Sequence, residues 1–249
     1  MTTWPHGYGL CVLDRVDSTL SEAARMAPAA RGPVWIMARH QLAARGRRGR
    51  TWANPAGNLA ATLLLPDPGP IRDAALRSFV AALALYDACV ASTGHSQGVS
   101  LKWPNDVLLN GGKLAGILLE SAGVAGTVQH LAIGVGVNLV TAPGADQVEP
   151  GALRPVSLVA ETGTAVTEDD FLTELAVAYD RYEQQFRAFG FDPIRRTWLD
   201  RATRLGKVVT ARTSTAATIG IFETVDGDGQ LVLVTPGGRI RIPAADVYF

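Results

Sequence analysis

The sequence has no net charge, few lysines, few cysteines and no apolar run long enough to cross a membrane. Lysine plus arginine and aspartate plus glutamate balance at 23 each in 249 residues, so no overall field attracts nucleic acid or an anionic membrane. The longest apolar stretch, 79–91, is interrupted by Asp87 and is too short to span a bilayer. The first residues lack a basic segment followed by an apolar one, so we expect no signal peptide.

The two scarce residue types carry information of their own. Cys11 and Cys89 lie far apart and match no metal or redox spacing, so we expect buried, reduced thiols, as in a cytoplasmic protein. Three lysines stand against twenty arginines. Because lysine is a compact point charge and arginine a wide planar fork, a lysine kept in this chain is expected to be needed as lysine. Chance is the alternative interpretation.

The pattern of apolar and turn residues predicts a mixed α/β region followed by a β-rich module. Helices are predicted over 17–27, 72–92, 156–161, 168–189 and 192–201, with Thr19 and Glu22 as a capping box for the first. Strands are predicted over 33–38, 58–65 and 130–140 and within the stretch 99–106, where the strand ends at Pro104, with a hairpin over 107–121. After residue 203, turns at 226–229 and 236–238 separate short strands, which indicates a small barrel.

One short loop concentrates positive charge. Residues 45–50, which we call the arginine loop, contain four arginines and two glycines between two predicted strands. Arginines offer forked donors to carboxylate or phosphate, and glycines let the backbone approach a ligand. Such a loop is either a flexible lid or a solvated connector, and the charge run by itself favours the solvated connector. With Trp52 it also fits a contact to single-stranded nucleic acid, although such proteins carry a more extended basic surface.

A second cluster lies in the stretch KWPND and in the hairpin that follows it. Asn105 and Asp106 come at the end of a predicted strand, where an amide and a carboxylate suit a hydrated Mg²⁺. Lys113 begins the return strand, so Lys102 and Lys113 are expected to converge on one site. Gly116 leaves room there for a ligand. A surface hairpin is the alternative, but two retained lysines favour a function.

Together these stretches resemble those of biotin protein ligases over nearly the whole chain. The motifs that carry the resemblance are DSTLSEA (17–23), HQLAARGRRGRTW (40–52), KWPNDVLLNGGKLAGILLE (102–120) and IGVGVNL (133–139). The family's usual loop has a glycine where this chain has Ala44, whose methyl group is expected to tighten the loop or crowd the ligand. The DST motif lies seventeen residues into the chain, so we do not expect the N-terminal DNA-binding domain that some members carry.

The resemblance implies an α+β fold of two parts. Residues 1–203 would form a catalytic domain whose mixed sheet and helices resemble those of class II aminoacyl-tRNA synthetases, and residues 204–249 an SH3-like β-barrel. It implies an ATP-dependent ligase that forms biotinyl-5′-AMP and transfers the biotinyl group to a lysine of a biotin carboxyl carrier protein of acetyl-CoA carboxylase. Mg²⁺ is the implied cofactor. Binding to DNA or a membrane is not expected, and a homodimer is left open.

The resemblance also assigns site residues position by position. The residues assigned to biotin are Ser18, Thr19, Gln41, Arg45, Gly46, Arg47, Lys113 and Gly116. Those assigned to ATP or the adenylate are Arg47, Arg48, Trp52, Lys102, Asn105 and Asn138. Lys113, Arg45 and Lys102 are the candidate catalytic residues, and Asp106 is the candidate metal ligand. Arg48 and Arg50 are also expected to support the loop, which is expected to close over the adenylate and exclude water.

Three other functions fit parts of the sequence. A lipoate or octanoate ligase shares the fold, but its acyl group lacks the ureido head of biotin. A nucleic-acid-binding module would use the arginine loop, which the neutral charge disfavours. A non-catalytic scaffold is disfavoured by the retained lysines.

Overall fold

The fold consists of two β-sheets and five α-helices in the part of the chain that the structure, a computed structural model, describes. That part comprises residues 2–50, 52–53, 55–124, 127–144, 147–148, 151–213 and 215–249. In chain order the elements are β1 (Gly9–Val16), α1 (Thr19–Met26), β2 (Val34–Gln41), β3 (Leu59–Pro66), α2 (Ile71–Thr93), β4 (Val99–Lys102), β5 (Asp106–Leu109), β6 (Gly112–Val124), β7 (Thr127–Val137), α3 (Leu158–Thr162), α4 (Glu168–Phe189), α5 (Phe191–Asp200), β8 (Val208–Arg212), β9 (Ala217–Val225), β10 (Leu231–Thr235), β11 (Gly238–Ile242) and β12 (Asp246–Tyr248).

The first sheet has seven strands in the order β1-β2-β3-β7-β6-β5-β4. The β1–β2 pair is parallel and the other neighbours are antiparallel. Strand β3 is an almost continuous apolar run, LAATLLLP, and its first seven residues are buried. Such a run is typical of a strand that is covered on both faces. Strand β3 lies inside the sheet, between β2 and β7.

The two faces of this sheet are covered differently. On one face, Trp35, Leu63 and Ile133 pack with α2 and α4 in the main hydrophobic cluster. On the other face, the short helix α1 covers only part of the sheet, with Leu20 and Ala23 in a second, smaller cluster. The sheet surface beside α1 is left for a cavity, which the sequence motifs line.

Helix α2 extends beyond the apolar stretch 79–91, and over its 23 residues it is, contrary to the expectation from the sequence, long and apolar enough by length and composition to cross a membrane. Two-thirds of its membrane-length segment (67%) is buried inside the fold, and the helix packs against α4 and the sheet. Because a helix that is apolar on nearly every side is also what a protein core needs, we interpret α2 as the core helix of a globular domain.

The second sheet has five strands in the order β11-β10-β9-β8-β12, all antiparallel. It agrees with the β-rich module expected after residue 203. Its buried residues join the main hydrophobic cluster, and the indole Nε1 of Trp103 donates a hydrogen bond to the Gly229 carbonyl oxygen at 3.1 Å. The division into 1–203 and 204–249 therefore stays a prediction, because the two parts share one core.

The structure corrects three details of the expected elements. The capping box of Thr19 and Glu22 is wrong: Ser18 is the N-cap of α1, and no side chain caps the helix. The strand expected to end at Pro104 ends at Lys102, where a turn leads directly into β5. Strand β1 was missed, although its sequence GLCVLDRV is largely apolar; Leu10 and Val12 are exposed, and Cys11 between them is only partly buried where a buried thiol was expected.

Candidate functional site

A cavity of about 400 Å³ lies on the sheet face beside α1. Residues from β2, β5, β6, β7 and the arginine loop line it, and so does one residue of the second sheet, Asp246. It brings together every site residue expected from the sequence except Arg48: Ser18, Thr19, Gln41, Arg45, Gly46, Arg47, Trp52, Lys102, Asn105, Asp106, Lys113, Gly116 and Asn138. Motifs more than a hundred residues apart in sequence therefore form one site.

The start of α1 and the end of β2 build a polar corner of the cavity. The backbone N–H of Thr19 donates to Gln41 Oε1 at 2.8 Å, and the Thr19 hydroxyl lies 3.1 Å from the same oxygen. Gln41 Nε2 and the Ser18 hydroxyl make no hydrogen bond to any residue that the structure describes. The corner therefore presents one amide N–H₂ group and one hydroxyl to a ligand.

The arginine loop folds back on itself. The Gly46 N–H donates to the Arg50 carbonyl oxygen at 2.7 Å, and the Trp52 N–H donates to the Ala44 carbonyl oxygen at 3.1 Å. Arg48 has a φ of 57° and Gly49 a φ of 72°, so the turn uses the left-handed region that glycine adopts readily. Ala44 is buried at the cavity wall, and its side chain is the methyl group that a glycine would lack there.

Arg45 is held by residues outside the loop. Its Nε and Nη2 donate to the two carboxylate oxygens of Glu120 at 2.8 and 2.7 Å, and its Nη1 donates to the Ser21 hydroxyl at 2.9 Å. This hydrogen bonding raises the pKa of Arg45. The side chain thus anchors the loop to β6 and α1, and Arg45 also lines the cavity.

The other three arginines converge on one carboxylate of the second sheet. Arg48 and Arg50 each lie 3.0 Å from Asp246 Oδ2, and Arg47 lies 3.4 Å from Oδ1. Burial lowers the pKa of Arg47, while Asp246 opposes that shift. The carboxylate is largely buried, at 14% exposure. Sequence reasoning missed Asp246, because nothing near it in the chain marks a contact with a loop almost two hundred residues earlier.

Lys102 and Lys113 meet at Asp106. Lys113 Nζ lies 2.8 Å from Asp106 Oδ1, and Lys102 Nζ lies 3.7 Å from Oδ2. Lys102 is buried, and this desolvation lowers its pKa, with Asp106 acting in the opposite direction. The predicted convergence of the two lysines is present, and the carboxylate between them offsets their repulsion.

Trp52 lies over the two glycines that leave the sheet surface bare. A Cβ atom on Gly136 would come within 2.6 Å of the indole, and one on Gly116 within 3.2 Å. Lys113 Nζ lies 5.5 Å from the centre of a Trp52 ring, within cation–π range. Gly116 and Gly136 are paired across β6 and β7. Together they make room for the indole at the floor of the cavity.

Asn138 and Asn105 also line the cavity, and each donates a side-chain hydrogen bond to a backbone carbonyl oxygen. The Asn138 Nδ2 donates to the Val156 carbonyl oxygen at 3.1 Å, while its buried Oδ1 has no partner among the described residues. The Asn105 side chain donates to the Ile117 carbonyl oxygen. Its own Oδ1 lies 3.5 Å from Arg47 Nη1.

The side chains around Asp106 indicate which kind of metal site the cavity can form. The described residues contain no group of three or more histidine, cysteine, aspartate or glutamate side chains that could hold a metal ion. Asp106 offers a single carboxylate. Mg²⁺ at nucleotide sites commonly uses one or two carboxylates together with substrate phosphates and waters. The residues therefore fit Mg²⁺ that arrives with a nucleotide, rather than a metal held by protein groups alone.

Comparison with protein families identifies two matching segments. Residues 12–138 match the Biotin/lipoate A/B protein ligase family, and residues 205–249 match the Biotin protein ligase C terminal domain. The chain is 55% identical over 238 residues to the biotin--[acetyl-CoA-carboxylase] ligase of Paracoccus denitrificans, covering 96% of this chain and 99% of that protein. It is 32% identical to the Mycobacterium tuberculosis enzyme of the same name, covering 97% and 90%.

Solved structures show the same fold. The biotin protein ligase from Aquifex aeolicus in complex with biotin and ATP superposes with a TM-score of 0.81 at 23% identity, over 96% of this chain and 97% of that one. The biotin protein ligase from Leishmania major in complex with biotinyl-5-AMP gives a TM-score of 0.68 at 21% identity. At these identities the likeness concerns the fold alone. It covers the mixed sheet, its helices and the C-terminal antiparallel sheet.

Proposed function

The chain belongs to the biotin/lipoate A/B protein ligase family, and from that premise we propose that it is a biotin protein ligase. It activates biotin with ATP as biotinyl-5′-AMP, and it transfers the biotinyl group to a lysine of a biotin carboxyl carrier protein of acetyl-CoA carboxylase. Close identity to a ligase of that name, over almost the full length of both chains, supports this assignment.

One observation carries the chemistry: two of the three lysines of the chain meet at Asp106 in the cavity that also contains the polar corner. A carboxylate and a triphosphate repel each other, so a site that joins them needs cations at the point of contact. Lys102 and Lys113 supply those cations. Their pairing with Asp106 keeps both in place before substrates bind.

The polar corner supports biotin over lipoate and octanoate. The free N–H₂ group of Gln41 and the hydroxyl of Ser18 match the urea carbonyl and N–H groups of biotin. A dithiolane ring or an alkyl chain would leave these groups without partners. Because an unpaired buried polar group costs about 1–3 kcal/mol, the corner discriminates against acyl groups that lack a urea.

In the first step, a carboxylate oxygen of biotin attacks the α-phosphorus of ATP. The new bond is the mixed anhydride of biotinyl-5′-AMP, and the bond from the α-phosphorus to the bridging oxygen breaks to release pyrophosphate. Lys113 is placed to offset the charge where the two anions join, and Lys102 and Arg47 to offset charge on the phosphates. Mg²⁺ bound with ATP would add charge neutralisation on the phosphate oxygens.

In the second step, the ε-amino group of the carrier lysine attacks the acyl carbon of the anhydride. An amide bond forms, the acyl–oxygen bond to AMP breaks, and the amine loses its proton. Water competes with the amine for the same carbon, so the anhydride must be shielded until the carrier arrives. The arginine loop, fixed at Arg45 and at Asp246, is placed to cover it.

The proposal extends to the setting of the reaction. We place it in the cytoplasm, where the two free cysteines stay reduced. The nucleotide side of the site takes Arg48, Trp52, Asn105 and Asn138 as candidate contacts.

Exchange of labelled pyrophosphate into ATP tests the first step. Purified protein with Mg²⁺ is assayed in parallel with biotin, lipoate and octanoate. We expect exchange with biotin, strong dependence on Mg²⁺ and little exchange with the other two acids. Exchange with lipoate and none with biotin would overturn the substrate assignment.

A further inference from the structure

A buried hydroxyl lies directly behind the polar corner without lining the cavity. Thr62, in the middle of β3, is fully buried, and its cross-strand neighbours are Ile36 and Gly134. Leu20, Ile36 and Leu64 form the apolar cluster on this face of the sheet. A hydroxyl in such surroundings costs free energy unless it is hydrogen-bonded, and its partner is Thr19: the two hydroxyl oxygens are 2.8 Å apart.

The direction of each hydrogen bond in this corner follows by elimination. The backbone N–H of Thr19 can only donate, so the Gln41 atom 2.8 Å from it is the amide oxygen. That oxygen can only accept a hydrogen bond. The Thr19 hydroxyl, 3.1 Å away, therefore donates its single proton to Gln41 Oε1. The proton between Thr62 and Thr19 must then come from Thr62.

The chain of bonds has one consequence for the cavity. With Oε1 of Gln41 occupied by Thr19, the amide turns its N–H₂ group towards the ligand. The Thr19 hydroxyl keeps one lone pair, since it donates to Gln41 and accepts from Thr62. Without the Thr62 proton, the Thr19 hydroxyl would be free to turn away from Gln41, and the amide would lose one of the two donors that fix it.

We propose that Thr62 is a positioning residue for biotin, whose hydroxyl holds Thr19 so that Gln41 presents its N–H₂ group to the urea carbonyl. This inference rests on the proposed function, because it takes biotin as the ligand of the corner. Thr62 touches no ligand and acts through Thr19. Its removal should therefore weaken biotin binding without changing the chemistry at Lys113 or the affinity for ATP.

The test compares the isosteric variant Thr62→Val with Thr62→Ser, which restores the hydroxyl. Biotin is titrated calorimetrically into each protein, and KM for biotin, KM for ATP and kcat are measured by pyrophosphate exchange. Losing one hydrogen bond in the corner should raise the Kd and KM for biotin about five- to tenfold in Thr62→Val. KM for ATP and kcat at saturating biotin should stay unchanged, and Thr62→Ser should bind biotin like the wild type.

Leu64→Val is the matched control for lost stability, because Leu64 lies two residues along the same strand in the same apolar cluster. It should lower the melting temperature and leave biotin binding unchanged. A double-mutant cycle adds the decisive readout: in a Thr19→Val background, Thr62→Val should weaken biotin binding no further, because Thr62 acts through Thr19.

Equal biotin affinity in Thr62→Val and wild type would overturn the inference. So would a full additional loss in the Thr19→Val background, or an equal loss in Leu64→Val. Failure of the wild type itself to bind biotin would instead contradict the proposed function, so the two failures are distinguishable.

Discussion

The Nζ of Lys113, on β6, lies 2.8 Å from Oδ1 of Asp106, the first residue of β5. The same carboxylate holds Lys102 at 3.7 Å. The carboxylate between the two lysines thus offsets their mutual repulsion and keeps them close together. A triphosphate and a carboxylate entering the cavity meet charge that is already in place, which is the arrangement that electrostatic catalysis requires.

The bare sheet surface under Trp52 should not tolerate a side chain. Gly136→Ala places a methyl group 2.6 Å from the indole, so the ring must move from the floor of the cavity. Overpacking of this kind costs about 1–3 kcal/mol, and we expect kcat/KM for biotin to fall by at least tenfold. Steady-state kinetics and tryptophan fluorescence measure the effect. Gly227→Ala is the control, because no atom of the described residues lies within 4 Å of the new Cβ. It should leave kcat/KM for biotin unchanged.

The contact of the arginine loop with Asp246 should keep the adenylate in the cavity. Asp246→Asn removes the charge shared by Arg47, Arg48 and Arg50, so these arginines repel one another and the loop loosens. We expect biotinyl-5′-AMP to dissociate about tenfold faster, since a hydrogen bond to a charged group contributes about 1.5–3 kcal/mol and solvent exposure of the arginines reduces it. Rapid dilution of the enzyme–adenylate complex measures the rate.

Hydrogen exchange at residues 45–50 should also speed up in Asp246→Asn. The control is Glu223→Gln, which breaks an exposed ion pair with Arg239 in the same sheet. Unchanged adenylate release in Asp246→Asn would mean that the contact with Asp246 does not retain the adenylate.

Truncation after residue 203 should damage both stability and catalysis. It removes Asp246 from the cavity. It also removes the Gly229 carbonyl oxygen, which accepts a hydrogen bond from the Trp103 indole. It also uncovers Phe79, which lies against Gly229. We expect a lower melting temperature and slower transfer to the carrier protein. A truncated protein that melts like the full chain and transfers biotin at the full rate would contradict this.

Much of this arrangement follows from local sequence signals. The helix over 168–189 is marked by its apolar period and by Thr167 as N-cap, and the structure has both. The hairpin at Asn110 and Gly111 is marked by residues that adopt positive φ, and it brings Lys113 back towards Lys102. Local patterns of this kind act within a few residues of the chain.

The parts that were missed depend on distant contacts. Thr19 has the spacing of a capping residue, yet its hydroxyl bonds to Gln41 and Thr62 on neighbouring strands. Asp246 and Glu120 look like ordinary surface acids until the fold brings the arginines to them. Strand β1 is apolar in sequence, yet it pairs on one edge only and leaves Leu10 and Val12 exposed. No local rule reports such partners, because the fold alone makes them neighbours.

The assignment of Lys113 to the point where the two anions join is the central claim. Its loss in Lys113→Ala should slow adenylate formation about 10²–10³-fold, since one charged donor in a site of this kind contributes about 3–4 kcal/mol. Lys113→Arg should also be slow, because a planar fork does not fit the space of a point charge between Asp106 and Trp52.

Single-turnover formation of biotinyl-5′-AMP by the wild type, Lys113→Ala and Lys113→Arg tests this most directly, with melting temperatures as the folding control. We expect two slow variants that melt close to the wild type. A near-normal rate in Lys113→Arg would contradict it and would leave Lys113 as an ordinary hairpin lysine.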